Sequence, residues 1–262
     1  VGDSAEAGTL GVKEYFVRLA ADILKSLSAR TEEGGLYRAD VRLRPYGKGG
    51  DLAGTLQQYR DYYEREAALW ERQALTKARP VAGDAELGRR FIEQAAEFVY
   101  GRGLSPEQKR EIAHLRGRIE RERKGQGLKS GEGGLIDVEF LVQALQLEHG
   151  RGHPSVRRSN TAEALAALAQ KGLFDRKDAE TLLTHYLFLR DIENRLQIMD
   201  GISTDELPAE QKALEELVRR LYHLSDEPAP TSEAFVEKYN RCREEIRAIY
   251  EKYFSDESGQ TG

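Results

Sequence analysis

The sequence predicts an α+β chain that is mostly α, with a small α/β portion leading into an all-α domain. Three observations carry this. Apolar residues keep a three-and-four spacing over long stretches, as one buried helical stripe requires. A change to period two is confined to roughly the first eighty residues. After Asp84 every periodic segment has helical spacing.

The first element is a helix, because Val12, Phe16, Leu19, Ile23 and Leu27 recur at helical spacing before Gly34-Gly35 interrupts it. From Leu36 to Arg44 the period becomes two. Tyr37, Ala39, Val41 and Leu43 would share one face and Arg38, Asp40, Arg42 and Arg44 the other, until Pro45 and Gly47 close the strand. Its apolar face is expected to pack on the helix at Val12 to Leu27. Leu56, Tyr59, Tyr63, Ala67, Trp70 and Ala74 return to helical spacing, and Leu75 to Val81, near Pro80 and Gly83, could form a short second strand.

Helices are then expected near 85–100, 106–124, 134–149, 160–171, 176–200, 208–222 and 231–254. Ser105-Pro106-Glu107 supplies a cap candidate followed by proline at the first helical position. Asn160 or Thr161 could cap the helix near 160, and Gly172 sits where a terminator belongs. No internal repeat is evident, and a short polar tail runs from Ser255 to Gly262.

Composition excludes several classes. The chain has 262 residues, 40 Lys plus Arg against 45 Asp plus Glu, a formal charge of −5, 32% charged residues and 39% apolar ones. That suits a charge-rich globular protein with length enough for one large domain or two small ones. The acidic balance argues against nucleic acid as the main partner, since neutralising phosphates takes a basic excess. Cys242, the single cysteine, excludes an internal disulfide and, with five scattered histidines, the usual structural zinc site. A reducing cytosol fits this usage. Charges at Asp3, Glu6, Lys13, Glu14 and Arg18 leave no apolar core for a signal peptide, and no stretch reaches membrane-spanning length.

Three features could carry chemistry. On the strand from Leu36 to Arg44, Asp40 lies between arginines on one face, with about 7 Å between alternate residues. A carboxylate there can coordinate Mg²⁺ while guanidinium forks take phosphate oxygens; the plainer alternative is an exposed face of compensating charges. The second feature is Lys129-Ser130-Gly131-Glu132-Gly133-Gly134, which opens the helix from Leu135. Glycines before a helix let backbone amides approach an anion, so the run could clamp a phosphate or could be a flexible turn. It lacks the Gly-Lys-Ser/Thr of a Walker loop. Third, Glu139, Gln143 and Gln146 line one helix face, and Arg190, Glu193 and Gln197 line another. These rows could meet in an internal hydrogen-bonded network or face a cleft. Asp137 and Glu139, like Asp191 and Glu193, are two residues apart and point about 200° away from each other on a helix, so neither pair is a chelate. No serine, cysteine or histidine has a nucleophile's setting.

Longer motifs carry a family resemblance. Tyr37-Arg38-Ala39-Asp40-Val41-Arg42-Leu43-Arg44-Pro45-Tyr46-Gly47, then Trp70-Glu71-Arg72-Gln73-Ala74-Leu75-Thr76-Lys77-Ala78-Arg79-Pro80, resemble the glutamine synthetase adenylyltransferases. So do Leu128 to Gly134 with Asp137 to Gln143, and Leu187 to Gln197, and the match runs in order from about residue 10 to residue 254. The resemblance implies a partial polymerase-β-like nucleotidyltransferase portion over 1–84, a helical-bundle domain over 85–254 and a frayed tail over 255–262. Family members transfer AMP from ATP to a tyrosine of glutamine synthetase, releasing pyrophosphate, and a homologous half removes it by phosphorolysis.

In that fold three carboxylates hold two Mg²⁺ ions: an Asp-x-Asp pair on one strand and a third Asp, matched by Asp40, on a neighbouring strand. Arg42 and Arg44 would then position strand and phosphate, and Lys129, Gly133 and Gly134 would serve the nucleotide side. The Asp-x-Asp pair occurs nowhere in the 262 residues, so the chain is expected to be truncated in front and inactive alone. The motif Ile136-Asp137-Val138-Glu139-Phe140 is similar to adenylylating halves, whereas deadenylylating halves resemble Arg-Glu-Ile-Glu-Phe. The expected partner is glutamine synthetase, in the cytoplasm, with neither nucleic acid nor membrane. An alternative from another class is a regulatory helical module that senses the PII signal protein or glutamine and docks on glutamine synthetase.

Overall fold

In the computed structural model, residues 11–32, 34–35, 39–123, 127–200, 205–223 and 228–255 are described. Positions 36–38 of the expected strand and 256–262 of the expected tail lie outside them. The chain forms two compact units, Val1–Val99 and Tyr100–Gly262.

The first unit contains α1 (Val12–Ser28), a two-residue antiparallel ladder of β1 (Arg30–Thr31) and β2 (Gly34–Gly35), then α2 (Leu56–Arg65), α3 (Leu69–Leu75) and α4 (Ala85–Tyr100). Four expectations are corrected. Residues 39–44 are not a strand, and Leu75 to Val81 leaves α3 through a turn without pairing. The α1 stripe is not packed under a sheet: none of its residues is buried, and Ile23 is 51% exposed. Finally, the single helix expected from Leu56 to Ala74 is broken, because the Tyr62 carbonyl accepts both the Glu66 and Ala67 N–H groups and ends α2. Glu71 then starts α3 by accepting the Ala68 N–H at 2.8 Å. The other oxygen of Glu71 takes the buried Tyr62 hydroxyl at 2.8 Å.

α2 begins with a capping box, in which Thr55 accepts from Gln58 N–H and the Gln58 side chain accepts from Thr55 N–H. Its tyrosines meet α4: Tyr63 stacks on Phe98 with centroids 4.9 Å apart, and Tyr59 meets Phe91 edge-on at 5.4 Å. Those contacts tie α4 to the first unit, which runs to Val99.

Among its described residues the second unit has helices joined by turns: α5 (Pro106–Glu122), α6 (Leu135–His149), α7 (Thr161–Gln170), α8 (Arg176–Asp200), α9 (Gln211–Leu221) and α10 (Ser232–Ser255). Each lies within a few residues of its expected span. Ser105 caps α5, with Pro106 at the first helical position and Gln108 completing a capping box. At α7 the cap is Asn160, whose Oδ1 accepts the Glu163 N–H at 3.1 Å. Gly172 follows α7 at φ +66°, as a terminator should.

Ten of the fifteen residues of α6 are buried. A helix apolar on nearly every side must be central, and α6 packs against α5, α7, α8 and α10. Leu141, Val142 and Leu145 of α6 join Leu165 and Leu168 of α7, Leu182, Leu189 and Ile192 of α8, Leu217 of α9, and Phe235 and Ile246 of α10 in one core. No helix among the described residues is long and apolar enough to cross a membrane.

Cys242 of α10 is also buried. Burial pushes its thiol up to about 12. At pH 8 so little thiolate is present that alkylation by iodoacetamide should run roughly a thousandfold slower in the folded chain than at a free cysteine. Denaturation should restore the ordinary rate, and equal rates in both states would contradict the buried setting.

Candidate functional site

In the first unit the charged residues fold onto one another. Asp40 and Arg42 are exposed, and the Arg42 guanidinium grips the carboxylate, with Nε 3.0 Å from Oδ1 and 2.9 Å from Oδ2. The Arg42 backbone N–H also donates to Oδ1 at 3.0 Å. Period two does bring these side chains together, but by closing a local turn and not by extending a strand. Their pairing raises the Arg42 pKa, the hydrogen bond to Asp40 being the largest cause.

Arg44, the other arginine expected at a phosphate, is bonded within its own loop. Its Nε donates to the Gly50 carbonyl at 3.0 Å and its NH1 to that of Val41 at 2.5 Å. It therefore organises the loop that follows, where Tyr46 adopts a left-handed conformation at φ 63° and extends its hydroxyl to Glu66 at 3.1 Å.

A two-ion magnesium centre does not fit the described residues. Asp40 supplies one carboxylate and Arg42 covers both of its oxygens. No group of three or more His, Cys, Asp or Glu side chains among the described residues is placed to hold a metal ion.

In the second unit Lys129, Gly133 and Gly134 share one loop, but their roles diverge. The Gly133 N–H donates to Asp137 Oδ2 at 2.7 Å and the Gly134 N–H to the Gly131 carbonyl at 3.0 Å. Both amides expected at a phosphate are thus satisfied inside the fold, and both residues are buried. Their lack of a side chain has a packing reason. Gly133 sits at φ +65° beneath α10, where a Cβ would lie 1.9 Å from the Arg243 carbonyl oxygen, and a Cβ on Gly134 would lie 2.8 Å from the carbonyls of Leu128 and Lys129.

Lys129 is the member that reaches outward. Its side chain is half exposed, and Nζ lies 3.2 Å from Glu193 Oε1 on α8, while Arg190 NH1 holds the other oxygen of Glu193 at 2.7 Å.

The polar rows of α6 and α8 are bonded internally, though not as one network. Glu139 accepts the Tyr186 hydroxyl at 3.1 Å, and Gln146 Nε2 donates to the carbonyls of Val156 and Arg158 at 2.7 and 2.8 Å. Asp137, two residues before Glu139, faces a different side and is fully buried.

There it meets the feature that the sequence reading missed. Arg116 of α5, 1% exposed, hydrogen-bonds Asp137 Oδ1 through Nε and the Gly131 carbonyl through NH2 at 2.8 Å. Arg247 of α10 approaches Asp137 Oδ2 at 3.5 Å and Glu120 at 3.0 Å. Burial drives the Asp137 pKa upward, while Arg116, the Gly133 N–H and Arg247 pull it back; the net direction is up. Helical spacing puts Arg116 on the stripe of Ile112, Leu115 and Ile119, apart from the exposed Arg110, Arg118 and Arg121, which marks it as facing inward but not what it meets. Its alignment with a buried turn is visible only in three dimensions.

The comparisons fit this division. Residues 4–94 match the family model for glutamate-ammonia ligase adenylyltransferase, and residues 107–254 match that for GlnD PII-uridylyltransferase. The chain belongs to the glutamine synthetase adenylyltransferase family. A relative from Xanthobacter autotrophicus, described as a bifunctional glutamine synthetase adenylyltransferase/adenylyl-removing enzyme, is 35% identical over 249 residues, covering 92% of this chain and 25% of its own length. Proteins of the same description from Xanthomonas axonopodis and Mycobacterium bovis are 38% and 41% identical, over 79% and 78% of this chain. The chain spans between a fifth and a quarter of the length of these relatives. The two family models meet this chain on its two compact units, one on each, apart from the linking residues.

Gly133→Ala tests the buried loop. A Cβ at a positive φ against the α10 backbone should cost more than about 1 kcal/mol of unfolding free energy in urea titration. Glu132→Ala, one residue earlier and exposed, should stay within about 0.5 kcal/mol.

Proposed function

We propose that this chain is the later part of an adenylylating half, which transfers AMP from ATP to a tyrosine of glutamine synthetase and releases pyrophosphate. The observation that supports it is the order of the two family matches, an adenylyltransferase model over the unit with Asp40 and a nucleotidyltransferase-related helical model over the unit with Lys129. The relatives' printed names cover both directions. The adenylylating one rests on Asp137 in Ile136-Asp137-Val138-Glu139-Phe140, where this chain resembles the adenylylating halves.

In this reading Asp40 is the one carboxylate that matches the family's set, with Arg42 as its partner in this structure, and Lys129, on the other unit, is a point charge offered to phosphate. Arg44 acts through the loop that it holds. With Asp40 as its sole matching carboxylate, the chain as given should show no AMP transfer from radiolabelled ATP to glutamine synthetase. In a polypeptide of the relatives' length, Asp40→Asn should lower transfer by about a hundredfold or more while thermal unfolding stays unchanged. Transfer surviving that substitution would make the Asp40–Arg42 pair a structural turn.

A second reading draws on the match of the helical unit to a PII-uridylyltransferase model. There the second unit is a recognition module for glutamine synthetase or the PII protein. It is distinguished by partner binding that persists in the Asp40→Asn variant and disappears when the second unit is removed.

A further inference from the structure

The loop from Leu128 to Gly134 is gripped from two sides. On one, Arg116 donates to the Gly131 carbonyl at 2.8 Å and Asp137 accepts the Gly133 N–H at 2.7 Å, the two side chains being joined to each other. On the other, Asp205 accepts the Lys129 N–H and, at 2.6 Å, the Ser130 hydroxyl, and its own carbonyl receives the Leu128 N–H. Two carboxylates nearly seventy positions apart in sequence thus spend their oxygens on a single turn of backbone.

The buried pair is an expensive way to join α5 to α6. Removing two charges from water costs several kcal/mol each, and well-packed apolar residues of similar volume often hold two helices as firmly. What apolar residues cannot do is accept an N–H from Gly133 and donate to Gly131 at once. The pair's distinctive effect is therefore on the loop, and the loop's cation is Lys129.

We propose that Arg116, Asp137 and Asp205 are positioning residues that fix the backbone at Lys129, so that its ammonium is presented to the phosphates of a nucleotide without a search. This rests on the reading of Lys129 given above. Toward the nucleotide the three residues act only through the loop. Lys129 already pairs with the Glu193 carboxylate, which Arg190 also holds, so a phosphate oxygen would replace one anionic partner by another. Holding the lysine's root in place lowers the entropy lost on that exchange.

Calorimetric titration of the whole chain with ATP, joined to amide hydrogen exchange, tests this. Lys129→Ala should weaken ATP binding by about tenfold, the value of one charge-assisted contact. Asp137→Asn should weaken it to a similar degree, the double variant should bind no more weakly than Lys129→Ala alone, and exchange should quicken at Gly131, Gly133 and Gly134 while core amides of α8 stay protected. Asp205→Asn attacks the loop from its other side and should give the same pattern, which keeps the test decisive if Asp137→Asn fails to fold. An unchanged affinity in Lys129→Ala overturns the Lys129 reading and the proposal with it. A loss in Lys129→Ala with none in Asp205→Asn or a folded Asp137→Asn, or losses that simply add in the double variant, overturns the proposal alone.

Discussion

The second unit depends on one buried ion pair, Arg116 with Asp137. Around it charges alternate: Arg116 touches Asp137 and Glu120, Arg247 touches Glu120 and Asp137, and the glycine loop contributes a carbonyl to the arginine and an N–H to the carboxylate. Such a cluster survives burial only when nearly every lone pair and proton has a partner. Three helices, α5, α6 and α10, are therefore registered to one another by groups that tolerate little displacement. Apolar packing between α6 and its neighbours supplies the bulk of the cohesion, and the charged cluster selects one arrangement of it.

The same logic recurs wherever the backbone turns. Arg44 donates to the carbonyls of Val41 and Gly50, Arg72 to that of Val99, Arg116 to Gly131, Arg157 to Gly150 and Arg243 to Glu132. Buried or half-buried carbonyls at helix ends and loops need donors, and in this chain arginine supplies many of them. A composition that is 32% charged thus describes more than a solvated surface. Part of that charge is internal scaffolding.

The helices of the second unit were legible because their signals are local. Caps at Ser105 and Asn160, the proline after Ser105 and the terminator at Gly172 each act within one turn of the residue that carries them. The break between α2 and α3 was invisible to periodicity, since the apolar spacing continues through it; it is set by the Tyr62 carbonyl and by Glu71. The strand expected to end at Arg44 gave way because alternation places Asp40 and Arg42 side by side, and in an exposed segment that pair closes on itself. Lys129 was found as a cation beside a glycine turn, but the reason for Gly133 lies in α10, over a hundred residues away. Arg116 stands on the apolar stripe of α5, which marks it as inward-facing without naming its partner, and Asp205 carries no local mark of its role.

That distance has a consequence for how the unit comes to exist during synthesis. The turn at Gly133 is covered by the backbone of Arg243, and Asp205 secures the turn's other flank. A ribosome releasing this chain from its amino end would deliver α5, α6 and the glycine turn long before either support. Until α10 is out, Asp137 lacks Arg247 and Gly133 lacks its cover, so the nascent helices hold a pair of charges in an unfinished setting. Contacts of such long sequence separation are slow to form. The last helix is the one whose arrival closes the turn at Gly133, and the second unit is finished from its end backwards.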